Sequence, residues 1–129
     1  MNWAFKIIEE IDSLASVSFE GIVSFEYLSR EFKLNKSKII GKTRNRLILK
    51  TKTHLRFITV IPPGQTFLSN EHIHNCKETC KVISGQMADK RSNEVWGANE
   101  VIVYSAFVPH HPYNPHPSKS LILQVDFYK

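Results

Sequence analysis

Apolar and polar positions follow a helical period at the start of this chain and a strand period over most of the rest. Residues 3–15 place apolar side chains three and four positions apart with acidic residues between them, which predicts an amphipathic helix. Residues 18–33 fit either a second short helix or an edge strand, and we predict the helix. The first forty residues (1–40) are therefore expected to form a helical segment that flanks the rest.

Beyond residue 46 the pattern changes to short strand-like stretches separated by turn signals. The longest stretch runs over residues 47–61, alternates apolar or threonine residues with basic ones, and ends at Pro62-Pro63-Gly64, a strong chain breaker. Short strands with turns between them are typical of an all-β sandwich or barrel. We predict a mainly β fold with its barrel core at residues 47–125. The other predicted strands cover residues 72–84, where the strand is expected to be bent or interrupted, 101–104 and 121–125.

Length and composition limit the class of protein. A chain of 129 residues forms one domain with a substantial core, so residues 1–129 are predicted to be a single domain. No apolar run approaches the about 18 residues that a membrane helix needs. The first residues soon meet Glu9, Glu10 and Asp12, unlike a signal peptide. We therefore expect a cytoplasmic protein with no membrane partner.

The two cysteines agree with a reducing compartment. Cys76 and Cys80 lie four positions apart in a predicted strand, which puts their Cα atoms roughly 13 Å apart. A disulfide needs a separation of no more than about 7 Å. Both are therefore predicted to be free thiols, which line a cavity or pack in the core.

The net charge of +5 is unevenly distributed. No Asp or Glu occurs over residues 32–70, whereas the preceding residues are acidic. The basic segment is either a solvated or neutralised face, or a surface for an anionic ligand or nucleic acid. The sequence disfavours nucleic acid, because it lacks interleaved aromatic residues and any DNA-reading motif. The cations of this segment are Lys33, Lys36, Lys38, Lys42, Arg44, Arg46, Lys50, Lys52 and Arg56.

Three residues of types that bind metals lie at even-numbered positions within one predicted strand. His72, His74 and Glu78 can point to the same face of a strand, because side chains alternate between faces. Two imidazoles and a carboxylate suit a divalent transition metal that takes one more ligand. His110 and His111 are the candidates for that ligand, and on extended backbone only one of them faces inward.

A second group of residues is predicted to form the core or the wall of a pocket, because large apolar side chains at strand spacing usually do. These are Phe57, Ile61, Phe67, Trp96, Tyr104 and Phe107.

This pattern resembles the first motif of the cupin family, G-x5-H-x-H-x3 or x4-E-x6-G. The spacings from His72 through His74 and Glu78 to Gly85 match throughout, whereas Gly64 lies two residues further upstream than in the motif. The second cupin motif, G-x5-P-x-G-x2-H-x3-N, is matched less well. Gly97 and the His110-x3-Asn114 ending fit it, but its proline and second glycine do not, and it also carries two extra residues.

The resemblance implies a double-stranded β-helix (jelly-roll) barrel with a metal inside, near one mouth. The implied ligands are His72, His74, Glu78 and His110, where the H-x3-N spacing favours His110 over His111. The ion would be a divalent transition metal: iron, manganese, nickel, cobalt, copper or zinc.

Cupins with such a site include dioxygenases, oxalate-degrading enzymes, isomerases and storage proteins without known chemistry. The resemblance therefore implies metal binding more firmly than any one reaction. The leading hypothesis is a metal-dependent, dioxygenase-like enzyme that acts on a small organic molecule. The alternative is a non-catalytic cupin that binds a small ligand or serves as a sensor. A homodimer is the assembly that the resemblance implies.

Overall fold

The computed structural model describes residues 21–68 and 71–129, and the helix predicted at residues 3–15 lies outside them. The described residues form eleven strands and one short helix, so the predicted mainly β fold is confirmed. The helix α1 is Phe25–Glu31. The strands are β1 Gly21–Ile22, β2 Ser37–Ile40, β3 Thr43–Lys50, β4 His54–Ile61, β5 His72–Ile73, β6 Lys77–Ser84, β7 Met87–Asp89, β8 Val95–Trp96, β9 Val101–Tyr104, β10 Pro112–Tyr113 and β11 Leu121–Tyr128.

One six-stranded antiparallel sheet, in the order β2-β3-β4-β11-β6-β9, makes up most of the structure. A three-stranded sheet, β10-β7-β8, and a parallel pair, β1-β5, complete it. Among the described residues these sheets are not joined into one closed barrel. Burial alternates along β4, where Leu55, Phe57, Thr59 and Ile61 are buried and the residues between them are half-buried. The large sheet therefore turns one face towards the core.

The helix predicted within residues 18–33 is confirmed over Phe25–Glu31. It begins after Ser24, whose side chain accepts a hydrogen bond from the backbone N–H of Tyr27 at 3.0 Å and so caps the first turn. Phe25, Tyr27 and Leu28 are buried. No helix among residues 21–68 and 71–129 is long and apolar enough to cross a membrane.

The stretch over residues 47–61 is a hairpin of β3 and β4 rather than one strand. Thr51 Oγ1 accepts hydrogen bonds from the backbone N–H groups of Thr53 and His54, at 3.2 and 2.9 Å. The threonines, read as strand residues in the sequence, thus form the turn. The large sheet also begins earlier than residue 47, at Ser37, and ends at Tyr128.

The predicted strand at residues 72–84 is interrupted between β5 and β6. At the break, the Asn75 side chain accepts a hydrogen bond from the backbone N–H of Phe25 and donates one to Glu26, each at 2.8 Å. This break transfers the chain from the small β1-β5 pair to the large sheet. His72 and Glu78 consequently lie in different sheets, and the site lies where the two sheets meet.

The basic segment lies at the surface. All its cations are exposed except Arg56, which is half-buried. Arg56 Nε donates to Asp126 at 2.8 Å, and Lys50 Nζ donates to the backbone oxygen of Ser29. Arg44 and Arg46 project from the exposed face of β3. These placements favour the interpretation as a solvated face.

Candidate metal centre

Three imidazoles meet at the junction of the sheets. His72 belongs to β5, His74 follows it directly, and His110 arrives from the loop before β10. One nitrogen of each ring lies within 4.8 Å of the corresponding nitrogens of the other two. The rings are packed with centroids 4.3–4.9 Å apart, and no residue of the three is more than 2% exposed. Such a buried group of nitrogen donors could bind a metal ion.

Backbone pairing brings His72 and His110 together. The N–H of each residue donates to the carbonyl oxygen of the other at 3.0 Å, as in an antiparallel ladder. His74 is tied to the same loop, because its carbonyl oxygen accepts a hydrogen bond from the N–H of Phe107 at 2.8 Å. The three imidazoles are thus positioned by main-chain hydrogen bonds.

The Glu78 carboxylate approaches two of these imidazoles from β6. Its Oε1 lies 3.3 Å from His74 Nε2 and 2.9 Å from His110 Nε2. The three atoms are buried and, apart from one another, have no partner among the described residues. Two imidazole nitrogens and a carboxylate oxygen that converge in this way fit a metal cation as their common partner.

Main-chain carbonyls orient two of the rings. His74 Nδ1 lies 2.7 Å from the oxygen of Val23, and His110 Nδ1 lies 2.9 Å from the oxygen of Val108. Because a carbonyl oxygen only accepts, each Nδ1 carries a proton and donates it. In the neutral ring the Nε2 lone pair is then free to coordinate, the arrangement usual for metal-bound histidines.

The charges at the site are strongly coupled. Burial favours a neutral Glu78, but the neighbouring His74 and His110 outweigh it and hold the Glu78 pKa well below its usual value. Burial likewise disfavours a charged His110, but Glu78 outweighs it and raises the His110 pKa. The protein thus stabilises positive charge beside Glu78, which a divalent cation can supply in place of the proton.

The structure separates His110 from its neighbour His111. The His111 N–H donates to the Asp89 carboxylate at 3.1 Å from Oδ2, and His111 Nε2 lies 3.2 Å from the carbonyl oxygen of Leu68. His111 is half-buried and is not part of the imidazole group. The geometry therefore places His110, and not His111, beside His72 and His74.

Both cysteines are buried free thiols. Cys80 Sγ donates to Glu78 Oε2 at 3.5 Å, and burial raises the pKa of Cys80 well above its usual value. Burial also raises the pKa of Cys76 to about 12. Neither residue is therefore a thiolate at neutral pH, and Cys80 supports Glu78 as a weak hydrogen-bond donor.

The roles of some residues at the site could not be predicted from the sequence. Val23 orients His74 through a carbonyl that no sequence pattern can reveal, from a segment outside the cupin motifs. Asn114 of the second motif connects two loops, since its Nδ2 donates to the backbone oxygens of Ile61 at 3.0 Å and Lys119 at 2.8 Å.

The prediction that Phe107 forms core or pocket wall was wrong, because its side chain lies at the surface and the residue is 59% exposed.

A small cavity lies next to this centre among the described residues. It has a volume of about 20 Å³, roughly the room of one water molecule, and lies among apolar side chains that include Phe57, Phe67 and Phe127. Phe127 also contacts the His74 ring, with centroids 4.8 Å apart. Among the described residues that line the cavity, the polar ones are Asn45 and Thr59, which are hydrogen-bonded to each other at 2.9 Å.

No protein-family model matches the sequence, and no curated protein matches it by sequence. Solved structures do match. One chain of the Rhodobacter sphaeroides SigE complex with the anti-sigma ChrR matches with a TM-score of 0.62 at 18% identity, covering 79% of this chain and 54% of that chain. An RmlC-like cupin protein from Ralstonia eutropha matches with a TM-score of 0.57 at 16% identity, and the match covers 67% of this chain and 54% of the Ralstonia chain.

A third match is an uncharacterized conserved protein with a double-stranded β-helix domain from Klebsiella pneumoniae. Its TM-score is 0.59 at 19% identity, over 70% of this chain and 80% of that protein. The chain spans about half the length of the first two structures. These likenesses show the fold, which is the cupin double-stranded β-helix that the sequence motifs implied.

Proposed function

We propose that the protein is a metal-binding cupin in which His72, His74, Glu78 and His110 hold one divalent transition ion. The observation that carries this proposal is the convergence of His74 Nε2, Glu78 Oε1 and His110 Nε2, three buried atoms that have no partner among the described residues other than one another. Three imidazoles and one carboxylate suit iron, manganese, cobalt, nickel, copper or zinc.

The reaction we propose is metal-dependent and dioxygenase-like, on a small organic molecule. Four protein ligands leave one or two open positions on a five- or six-coordinate ion, which would then supply Lewis-acid or redox chemistry. The chain holds the site dry, because the metal-facing atoms of His74, Glu78 and His110 are shielded from solvent.

A non-catalytic sensor is the second candidate. Its support is the enclosed site together with the likeness to a chain from a complex of SigE with an anti-sigma factor. In a sensor, ion or ligand occupancy would change the surface rather than drive turnover. Oxygen uptake by the metal-loaded protein with small organic substrates would favour the enzyme. Ligand binding without product formation would favour the sensor.

The assembly and its location belong to the same proposal. We infer a cytoplasmic homodimer with a small molecule as the other partner. The exposed side chains of Val101 and Val103 on the edge strand β9 support self-association. Sedimentation velocity on the full chain measures the dimer, and a monomer at all concentrations would contradict it.

The test of metal binding is elemental analysis of the full chain purified without added metal. We expect about one equivalent of a transition metal per chain, or stoichiometric rebinding after removal. If no transition metal co-purifies and none rebinds, the metal centre is wrong, and with it both the enzyme and the metal-dependent sensor.

A further inference from the structure

Tyr104 lies against the His110 imidazole. The two rings are stacked, with centroids 4.3 Å apart and planes 14° from parallel. Tyr104 ends strand β9 and is the direct cross-strand partner of Glu78 on β6. One aromatic side chain is thus adjacent to two of the four residues proposed to hold the metal.

Asp89 holds the other end of this tyrosine. The Tyr104 hydroxyl donates to Asp89 Oδ2 at 2.8 Å, and the Asp89 side chain is 3% exposed. The same carboxylate accepts hydrogen bonds from the backbone N–H groups of Arg91, at 2.8 Å, and His111. Asp89 therefore fixes both the ring stacked on His110 and the backbone immediately after His110.

We propose that Tyr104 is a positioning residue for the metal centre and that Asp89 anchors it. The hydrogen bond from His110 Nδ1 to the carbonyl of Val108 sets one direction in the imidazole plane. That hydrogen bond holds one ring nitrogen and does not by itself fix the tilt of the imidazole plane. The stacked face of Tyr104 restricts the tilt, so that His110 Nε2 keeps its direction towards Glu78 and the other imidazoles.

This inference rests on the proposed metal binding, and it assigns the tyrosine a role that simple core filling would not require. A core aromatic would contribute through its ring alone. Here the hydroxyl also matters, because its bond to Asp89 holds the ring in the stacked position. Groups that orient metal-bound histidines commonly change metal affinity by about 10–100-fold when they are removed.

The test compares two variants in the full chain loaded with Co(II), whose visible absorption reports ligand geometry. Tyr104→Leu removes the stacked ring and is expected to weaken Co(II) binding by about 10–100-fold in chelator competition. Tyr104→Phe keeps the ring but loses the anchor, and should weaken binding less while altering the Co(II) spectrum. Tyr113→Phe is the matched control, because Tyr113 on β10 is a half-buried tyrosine whose ring packs against Lys90.

The outcomes separate the two proposals. If the unmodified chain takes up no Co(II), the metal centre itself is wrong. If it binds Co(II) and both Tyr104 variants match it in affinity and spectrum, the positioning role is overturned. Should circular dichroism show that Tyr104→Leu does not fold, Tyr104→Phe decides alone, and wild-type affinity with a wild-type spectrum would overturn the proposal.

Discussion

His74 Nδ1 lies 2.7 Å from the backbone carbonyl oxygen of Val23, so a residue of the N-terminal part of the chain orients a proposed metal ligand. The contact forms because β1 pairs in parallel with β5 and continues into a hydrogen bond from the Val23 N–H to the Ile73 oxygen, at 2.8 Å. We call residues 21–26 the N-terminal strap. The strap contributes to the site although it lies outside the range of the cupin motifs.

Asn75 provides a way to test the strap without changing a ligand, because its side chain bonds to Phe25 and Glu26. We expect Asn75→Ala to weaken metal binding by about 10-fold, through a less fixed His74. Since the coupling is reciprocal, metal binding should in turn slow hydrogen exchange in residues 21–26. Chelator competition and exchange mass spectrometry measure the two effects. Asn93→Ala, at an exposed loop residue, is the control and should change neither.

Two results together would show that the strap does not support the site. These are an unchanged metal affinity in Asn75→Ala and hydrogen exchange in residues 21–26 that is the same with and without metal. Loss of affinity in the Asn93→Ala control would instead point to a general loss of stability.

The two adjacent histidines should differ sharply. His110→Ala removes a nitrogen from the buried imidazole group, and we expect loss of stoichiometric metal binding. His111→Ala removes only the contact of its ring with the Leu68 carbonyl and keeps the backbone bond to Asp89, so binding should persist. Elemental analysis of both variants after identical purification measures this. Retained metal in His110→Ala with loss in His111→Ala would reverse the ligand assignment.

Metal affinity should fall in acid, because protons compete for His110. Glu78 raises the His110 pKa above its usual 6.5, so competition begins at a higher pH than for an ordinary histidine. In Glu78→Gln the negative charge is lost, and the onset of competition should move to lower pH while affinity drops at every pH. Co(II) titrations across pH measure both changes. An onset that does not move would contradict the coupling between Glu78 and His110.

The metal-free protein should also lose stability on both sides of neutrality. The raised pKa of His110 contributes stability below pH 6.5 that disappears as the pH rises through the folded-state pKa. The lowered pKa of Glu78 contributes stability above pH 4.5 that disappears as the pH falls through its folded-state pKa. Denaturant unfolding of the metal-free protein across a range of pH measures this. A midpoint that does not fall as the pH rises above 6.5 would contradict the prediction. Added metal should reduce that fall.

Gly85 should tolerate no side chain. Its φ is +90°, and a Cβ there would lie 2.6 Å from the backbone oxygen of Ser120. Gly64 has a similar φ of +71° but no atom within 4 Å of the Cβ position. We expect Gly64→Ala to cost about 1–2 kcal/mol in free energy of unfolding, from backbone strain alone. Gly85→Ala should cost clearly more, and equal costs in denaturant unfolding would contradict the steric argument.

Local patterns in the sequence predicted much of the candidate site. Strand alternation placed His72, His74 and Glu78 on one side, and all three are buried. The alternation holds across the break at Asn75, even though His72 and Glu78 lie in two different sheets. The same reasoning failed for the stretch around Thr51 and Thr53, because threonine suits both a strand and a turn, and only the pairing of β3 with β4 decides between them.

The sequence by itself therefore determined which residue types alternate, which of them can bind a metal and that the fold is mainly β, since these depend on neighbours along the chain. Tertiary structure decided that His110 rather than His111 joins the imidazoles, through backbone pairing with His72. It also decided that Val23 orients His74 and that Tyr104 stacks on His110. Every residue carries a carbonyl, and strand partners are distant in sequence, so such contacts exist only once the chain has folded.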